Sequence, residues 1–265
     1  MPIHPTAIVD AGAEVDPTAE IGPYAVVEPD VTIGPRVRLW PHAFVARGTR
    51  LEAGVQVHPF AVVGHHPQDL AWDESPSYTR VGEGTIIREH ATIHRGTMPE
   101  SWTIVGRRCY IMSTGHVGHN CVVGDDVKIA NSGLLSGHVR VGDGAFISGN
   151  VSIHQFARIG RLAMVAGGMR LNADLPPFML FAPGGVIGPN TVGLRRAGLS
   201  AEARREIREA YHTLYRRGLR LAEAIERIAA RVQTPEAREL VEFLRAERQR
   251  PIATFRPMQR EIDEP

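Results

Sequence analysis

Four histidines crowd one stretch of a chain that has twelve: His116, His119, His138 and His154. A neutral imidazole, with a reference pKa near 6.5, takes and returns protons close to neutral pH and serves as a general base. Three neutral imidazoles can instead hold a metal ion and activate water. The spacing His116-x-x-His119 suits either chemistry. Both need the distant rings brought together. His138 follows His119 by 19 positions and His154 follows it by 35. An element that returns the chain to one edge about every 18 residues would align all three, spread over roughly 10 Å at the usual strand spacing.

The chain carries that element. An aliphatic residue recurs every sixth position: Ile3, Val9, Val15, Ile21, Val27, Ile33, Leu39, Val45, Leu51, Val57 and Val63. The beat resumes at Val81, Ile87 and Ile93, and runs from Val105 through Ile111, Val117, Val123, Ile129, Leu135, Val141, Ile147, Ile153 and Ile159 to Val165. A period of six fits neither an α-helix nor simple strand alternation. It is the hexapeptide signature of a parallel β-helix, with three faces per coil and the aliphatics pointing into a shared core. Two residues before each aliphatic stands a smaller inward residue, such as Ala19, Ala25, Ala43 or Ala157. Glycines such as Gly22, Gly34, Gly124, Gly142 and Gly160 are expected at corners, where the backbone takes angles other residues avoid. None of the four histidines falls in an inward aliphatic slot, so their rings belong on an edge or in a cleft.

Residues 65–80, HHPQDLAWDESPSYTR, break the beat and read as a loop thrown out from the rod. A smaller irregularity lies near Thr97–Trp102, and residues 168–190, rich in Gly and Pro, close the last coil less regularly. From Leu199 the period becomes helical. Ser200 caps a first helix with Ile207, Ala210, Tyr211, Leu214 and Tyr215 on one face, and Gly218 stops it. A second helix follows from Leu221. Thr234 and Pro235 start a third as N-cap and first helical residue. The fold expected is therefore mainly β with some α: a β-helix over residues 1–190, then a small helical domain and loose tail over 191–265, the tail being 251–265.

The formal charge of +1 argues against a nucleic-acid or membrane-surface field. No apolar run spans a bilayer, and the start has no secretory pattern. Cys109 and Cys121 sit in small inward slots and read as buried hydrophobes, consistent with a reducing cytoplasm. Charge is uneven, however. Residues 195–250 hold 14 Arg and 9 Glu. Most of these should be solvated helix face; Arg216, Arg217 and Arg220 are the best candidates for docking an acidic partner.

Several strings then become specific: GHVGHNCVVG (115–124), LLSGHVRVGD (134–143), VSIHQFARIG (151–160), TIHRGT (92–97), HPQDL (66–70), DLPPF (174–178) and GPNTVGLRR (188–196). Together they resemble the UDP-N-acetylglucosamine acyltransferase family of lipid A biosynthesis, whose fold is a left-handed parallel β-helix with a C-terminal helical domain. The resemblance covers nearly the whole chain. It implies transfer of a 3-hydroxyacyl group from acyl carrier protein to the glucosamine 3-hydroxyl, by a cytoplasmic homotrimer with active sites between rods. No cofactor or metal is implied, because the acyl group arrives on the carrier's phosphopantetheine. His119 matches the general base and Gly137 the backbone donor to the oxyanion. His116, His138, His154 and Gln155 match sugar and acyl contacts. Asp69 matches a sugar-contacting carboxylate expected to reach a neighbouring subunit. Asn190 and Arg196 match nucleotide contacts, and Gly167 the position limiting acyl length. The arginines of the helices would meet the acidic carrier protein.

The chain departs from the family pattern at Ala71, where lysine is usual, and at Asn120, where an acidic residue follows the histidine. Val192 and Ala197 replace usual Glu and Arg, and Gly168 and Met169 are altered neighbours of Gly167. A 3-amino sugar nucleotide is therefore an alternative acceptor. An acetyl-CoA-dependent sugar acetyltransferase is a second alternative. A γ-type carbonic anhydrase ranks well below, because HxxH differs from its wider spacing. An ice-binding rod would want a flat ladder of exposed Thr, which is missing.

Overall fold

The computed structural model describes residues 3–255 and shows a left-handed parallel β-helix carrying a helical C-terminal unit. Three sheets of nine, eight and ten strands form the sides of a prism. Most strands are two residues long, such as His116–Val117, Val122–Val123 and Lys128–Ile129, because a bend interrupts the chain every six residues. Within the coils each strand pairs in parallel with the one a coil later, so Ile8 faces Val26 and Leu134 faces Ser152.

The inward aliphatics build one continuous core. Ile87, Ile93, Ile111, Val117, Ile129 and Leu135 are all 0 % exposed, each contributing about 1.5–3 kcal/mol by leaving water. The small inward residues are equally buried, Cys109 and Cys121 among them. Burial pushes these thiols up to about 11 and about 12, which keeps them protonated and inert.

The corners differ from expectation. Gly22, Gly34, Gly124, Gly142 and Gly160 do not hold left-handed backbone. They are glycine because the next coil lies against them: a Cβ at Gly124 would sit 2.2 Å from Asp143 Oδ1, and one at Gly160 2.2 Å from the Pro177 nitrogen. The left-handed residues stand at the second turn position and mostly carry side chains, including Asn120 (φ 58°) and His138 (φ 61°). Strain of this kind persists only where surrounding structure over-determines it.

The first interruption lengthens one coil. Val62 pairs with Thr92 and Thr49 with Thr79, thirty positions apart. The second irregularity leaves 24 positions between Thr92 and His116. At the far end Met179–Ala182 adds to the ten-stranded sheet and turns back as an antiparallel hairpin with Gly185–Pro189.

Four helices follow. A short α1 over Thr191–Arg196 was not evident in the sequence; the Asn190 side chain caps it. Ser200 caps α2 (Ala201–Tyr215) by accepting from Ala203 N–H, and Thr234 caps α4 (Pro235–Arg245) in the same way. Helix α3 spans Leu221–Ala229. The segment after α4 is not loose throughout. Ile252 and Ala253 are buried, and the chain pairs with Asp174 at Ile252 and with Gly185 at Phe255. Two apolar side chains and a set of backbone bonds outweigh the ordering cost there. The rest of the expected tail, 256–265, lies outside the described residues.

Candidate active site

The histidines meet at the edge where the chain passes from the nine-stranded sheet to the eight-stranded one. His119 and Asn120 form the turn between His116–Val117 and Val122–Val123; Gly137 and His138 form the same turn one coil on. The His138 N–H donates to the His119 carbonyl at 2.9 Å, which locks the two turns in register. The His119 and His138 rings meet edge to face, 5.1 Å between centroids, and Phe156 stacks beneath His138 at 4.7 Å.

His119 is 8 % exposed. Its Nδ1 lies 3.1 Å from Asn120 Oδ1, and the same oxygen accepts the Thr97 N–H at 2.9 Å. The Thr97 donor fixes which amide atom faces the ring, and an amide oxygen only accepts. Nδ1 of His119 therefore carries the proton and Nε2 has a free lone pair. Gly137 lies against that nitrogen: a Cβ there would be 2.3 Å from Nε2. The Gly137 N–H has no acceptor among the described residues.

The loop 65–80 folds over this edge. His66 O accepts from His94 Nδ1, Arg95 N–H donates to His65 O, and Trp72 packs on His66 at 4.4 Å. These ties bring the Asp69 carboxylate 3.7 Å from Nε2 of His119 in the same chain. The Ala71 N–H, then the positive potential of His119, hold the Asp69 carboxyl below the usual carboxylate range. His116 is pushed down to about 4, first by burial and then by His94 and His119; its Nδ1 pairs with Thr92 Oγ1 at 2.8 Å. Burial also lowers His138 and His94. At neutral pH the Asp69 carboxylate thus stands among the neutral rings of His94, His116 and His138. Among the described residues no three His, Cys, Asp or Glu side chains are arranged to hold a metal ion.

His94 was missed although its string TIHRGT stood out. It is 7 % exposed with its ring 5.2 Å from His116. Simple 18-residue arithmetic could not place it, because the intervening coil is six residues longer.

The other expected site residues lie elsewhere on the chain. His154 and Gln155 occupy the same edge one coil beyond Gly137. Gly167 sits on the opposite edge of the nine-stranded sheet, where a Cβ would meet only Gly149 O at 3.4 Å. Asn190 is 9 % exposed; it caps α1 and donates to Leu162 O at 2.9 Å, so its amide is engaged within the fold. Arg196 is exposed in the last turn of α1. Arg216 is exposed and is also tied to the fold. Its Nε donates to Tyr211 Oη at 2.9 Å and its guanidinium covers Phe255, 3.6 Å from the ring centroid. Arg217 and Arg220 are exposed.

A hexapeptide prism with a buried, tautomer-fixed histidine at one edge defines a hexapeptide-repeat transferase, and the bacterial transferase hexapeptide family matches residues 12–47. The second-domain model of UDP N-acetylglucosamine O-acyltransferase matches residues 174–253. The acyl-[acyl-carrier-protein]–UDP-N-acetylglucosamine O-acyltransferase of Anaeromyxobacter sp. (strain Fw109-5) is 44 % identical over 92 % of this chain and 96 % of its own length. The enzyme of that name from Syntrophobacter fumaroxidans is 39 % identical over the same shares. The crystal structure of the UDP-N-acetylglucosamine O-acyltransferase from Moraxella catarrhalis superposes with a TM-score of 0.91 at 33 % identity, covering 95 % of this chain and 99 % of that one. The chain belongs to the UDP-N-acetylglucosamine O-acyltransferase family and is an acyltransferase.

Proposed function

We propose that the chain moves a 3-hydroxyacyl group from the phosphopantetheine thioester of acyl carrier protein to the 3-hydroxyl of UDP-N-acetylglucosamine, the first step of lipid A biosynthesis. The observation that carries the mechanism is the His119–Asn120 pair, which leaves Nε2 as an available base on a largely buried ring. Nε2 takes the proton of the acceptor hydroxyl as its oxygen bonds to the thioester carbonyl carbon. The negative charge forms on the carbonyl oxygen, where the unpaired Gly137 N–H is the donor at hand. Collapse breaks the C–S bond, and the imidazolium returns its proton to the pantetheine sulfur. Asp69 compensates for the missing acid at position 120, because a carboxylate 3.7 Å from Nε2 favours the imidazolium as it forms.

One chain presents only part of the expected site. His119, His138, His116 and Asp69 converge, while Gly167 and Arg196 lie elsewhere. A homotrimer with sites between rods reconciles this division. Its support is apolar surface left open on the single chain: Leu70 on the loop is fully exposed, and Ile8 and Leu134 on the nine-stranded sheet are 66 % and 42 % exposed. His116, His154, Gln155 and Arg196 would hold the sugar nucleotide, and Arg217 and Arg220 the acidic carrier.

The deciding assay offers acyl carrier protein thioesters of several chain lengths to UDP-N-acetylglucosamine and to its 3-amino analogue, with the product mass recorded. An ester of the 3-hydroxyl supports the proposal. Acyl transfer to the amine alone overturns the acceptor.

A further inference from the structure

The segment after α4 returns to the rod and delivers one side chain to the candidate site. Arg250 Nη2 lies 2.7 Å from His154 Nδ1, and its Nε donates to Gln155 O at 3.0 Å. Guanidinium nitrogens only donate. His154 Nδ1 must then be the acceptor, and the ring's single proton sits on Nε2. A competing arrangement exists in the same geometry. Nδ1 also lies 3.2 Å from Gln155 O, so without Arg250 a protonated Nδ1 would donate to that carbonyl. Arg250 occupies both groups and excludes the alternative.

The contact is built in on both sides of Arg250. Upstream, Arg248 Nη1 donates to Leu244 O at the end of α4. Downstream, Asp174 N–H donates to Pro251 O and Ala253 N–H to Asp174 O, both at 2.8 Å, with Ile252 and Ala253 buried. Asp174 itself is held by Arg158, whose Nε lies 2.7 Å from Oδ2. Farther on, Phe255 lies under Arg216. Ordering of this kind fixes a long side chain that would otherwise be mobile on the surface.

We infer that Arg250 is a positioning residue that selects the Nε2–H tautomer of His154, so that this ring presents a donor to an oxygen of the sugar nucleotide. The inference rests on the functional reading above only for the identity of that ligand. The tautomer stands independently.

The test uses the full chain with 15N-labelled histidine and long-range 1H–15N correlation spectra, the His154 signals being assigned by their loss in H154Q. The wild type is expected to show protonated Nε2 and bare Nδ1. R250M should move His154 toward protonated Nδ1, and R250K should keep the wild-type pattern in part. With UDP-N-acetylglucosamine, R250M should raise KM about tenfold, the worth of one hydrogen bond, with a smaller change in kcat. The same substitution should add nothing on an H154Q background. A wild-type His154 protonated on Nδ1 overturns the inference without any variant. So does an unchanged tautomer in R250M, or equal KM effects of R250M with and without His154. If the wild type transfers no acyl group to UDP-N-acetylglucosamine, the functional reading falls, while the spectra still decide the role of Arg250.

Discussion

Asp69 and His119, fifty positions apart in the chain, face each other across 3.7 Å, carboxylate oxygen to Nε2. The carboxylate comes from the loop and the imidazole from the prism edge. In D69N the imidazolium loses its nearest charge. Turnover is expected to fall about tenfold to a hundredfold, with melting temperature changed little because the loop's base is held by His94, Arg95 and Trp72. Unchanged kcat/KM in D69N would remove Asp69 from the mechanism.

H119A should lose acyl transfer by about 10²–10⁴-fold, the usual worth of a general base, while circular dichroism stays that of a β-helix. Near-normal turnover would reject the assignment.

Asn120 gives a sharper test. N120D keeps an acceptor for His119 Nδ1–H and for Thr97 N–H, and tolerates the positive φ. It should retain activity. N120A removes the shared oxygen and should lose at least tenfold in kcat, with a stability cost of about 1–3 kcal/mol for the orphaned Thr97 donor and the strained backbone. Equal activity in both variants would show that the tautomer is set otherwise.

The sequence expectation treated Gly137 as a backbone donor; the structure adds a steric demand. G137A would place a methyl group 2.3 Å from Nε2. Activity should vanish while the melting curve survives. Activity within threefold of wild type would mean the His119 ring stands elsewhere in solution.

Acid should weaken the fold through His116. Its folded pKa of about 4 lies below the ~6.5 of an unfolded chain, so the unfolded state binds the proton first as pH falls. This stability is complete above about pH 6.5 and is lost toward pH 4, by no more than about 3 kcal/mol. Thermal melts between pH 7.5 and 4.5 should slope less steeply in H116Q than in the wild type. Parallel slopes would refute the buried neutral imidazole.

R217E with R220E should raise KM for the acyl carrier thioester at low salt and leave kcat in place. R216A should instead lower the melting temperature, because it uncovers Phe255. A raised KM in R216A alone would reverse that division.

Much of this was legible in the residues. The six-residue beat located the core and the turn that carries His119, because burial of one aliphatic per face leaves little freedom in register. Coil counting also brought His138 to His119. It failed for His94, since two coils are longer than the rest, and for Asp69, whose loop has no period to count. Asn190, matched by resemblance to a nucleotide contact, also caps a helix, and Arg216, read as a docking charge, also lies over Phe255; neither added role shows in the sequence. Arg250 stands just before the segment expected to be loose, 251–265, where no apolar stripe announced that Ile252 and Ala253 would anchor it.

Beyond the loop the coil closes with the same strand register as its neighbours, Thr79 lying over Thr49 as Arg50 lies over Thr32; the one shift is at the loop's start, between Val63 and His65. The excursion is therefore a detachable cassette. Its length and lettering can change what hangs above the proton-transfer centre while the rungs beyond its base stay in place, leaving acceptor choice free to drift on an unchanged prism.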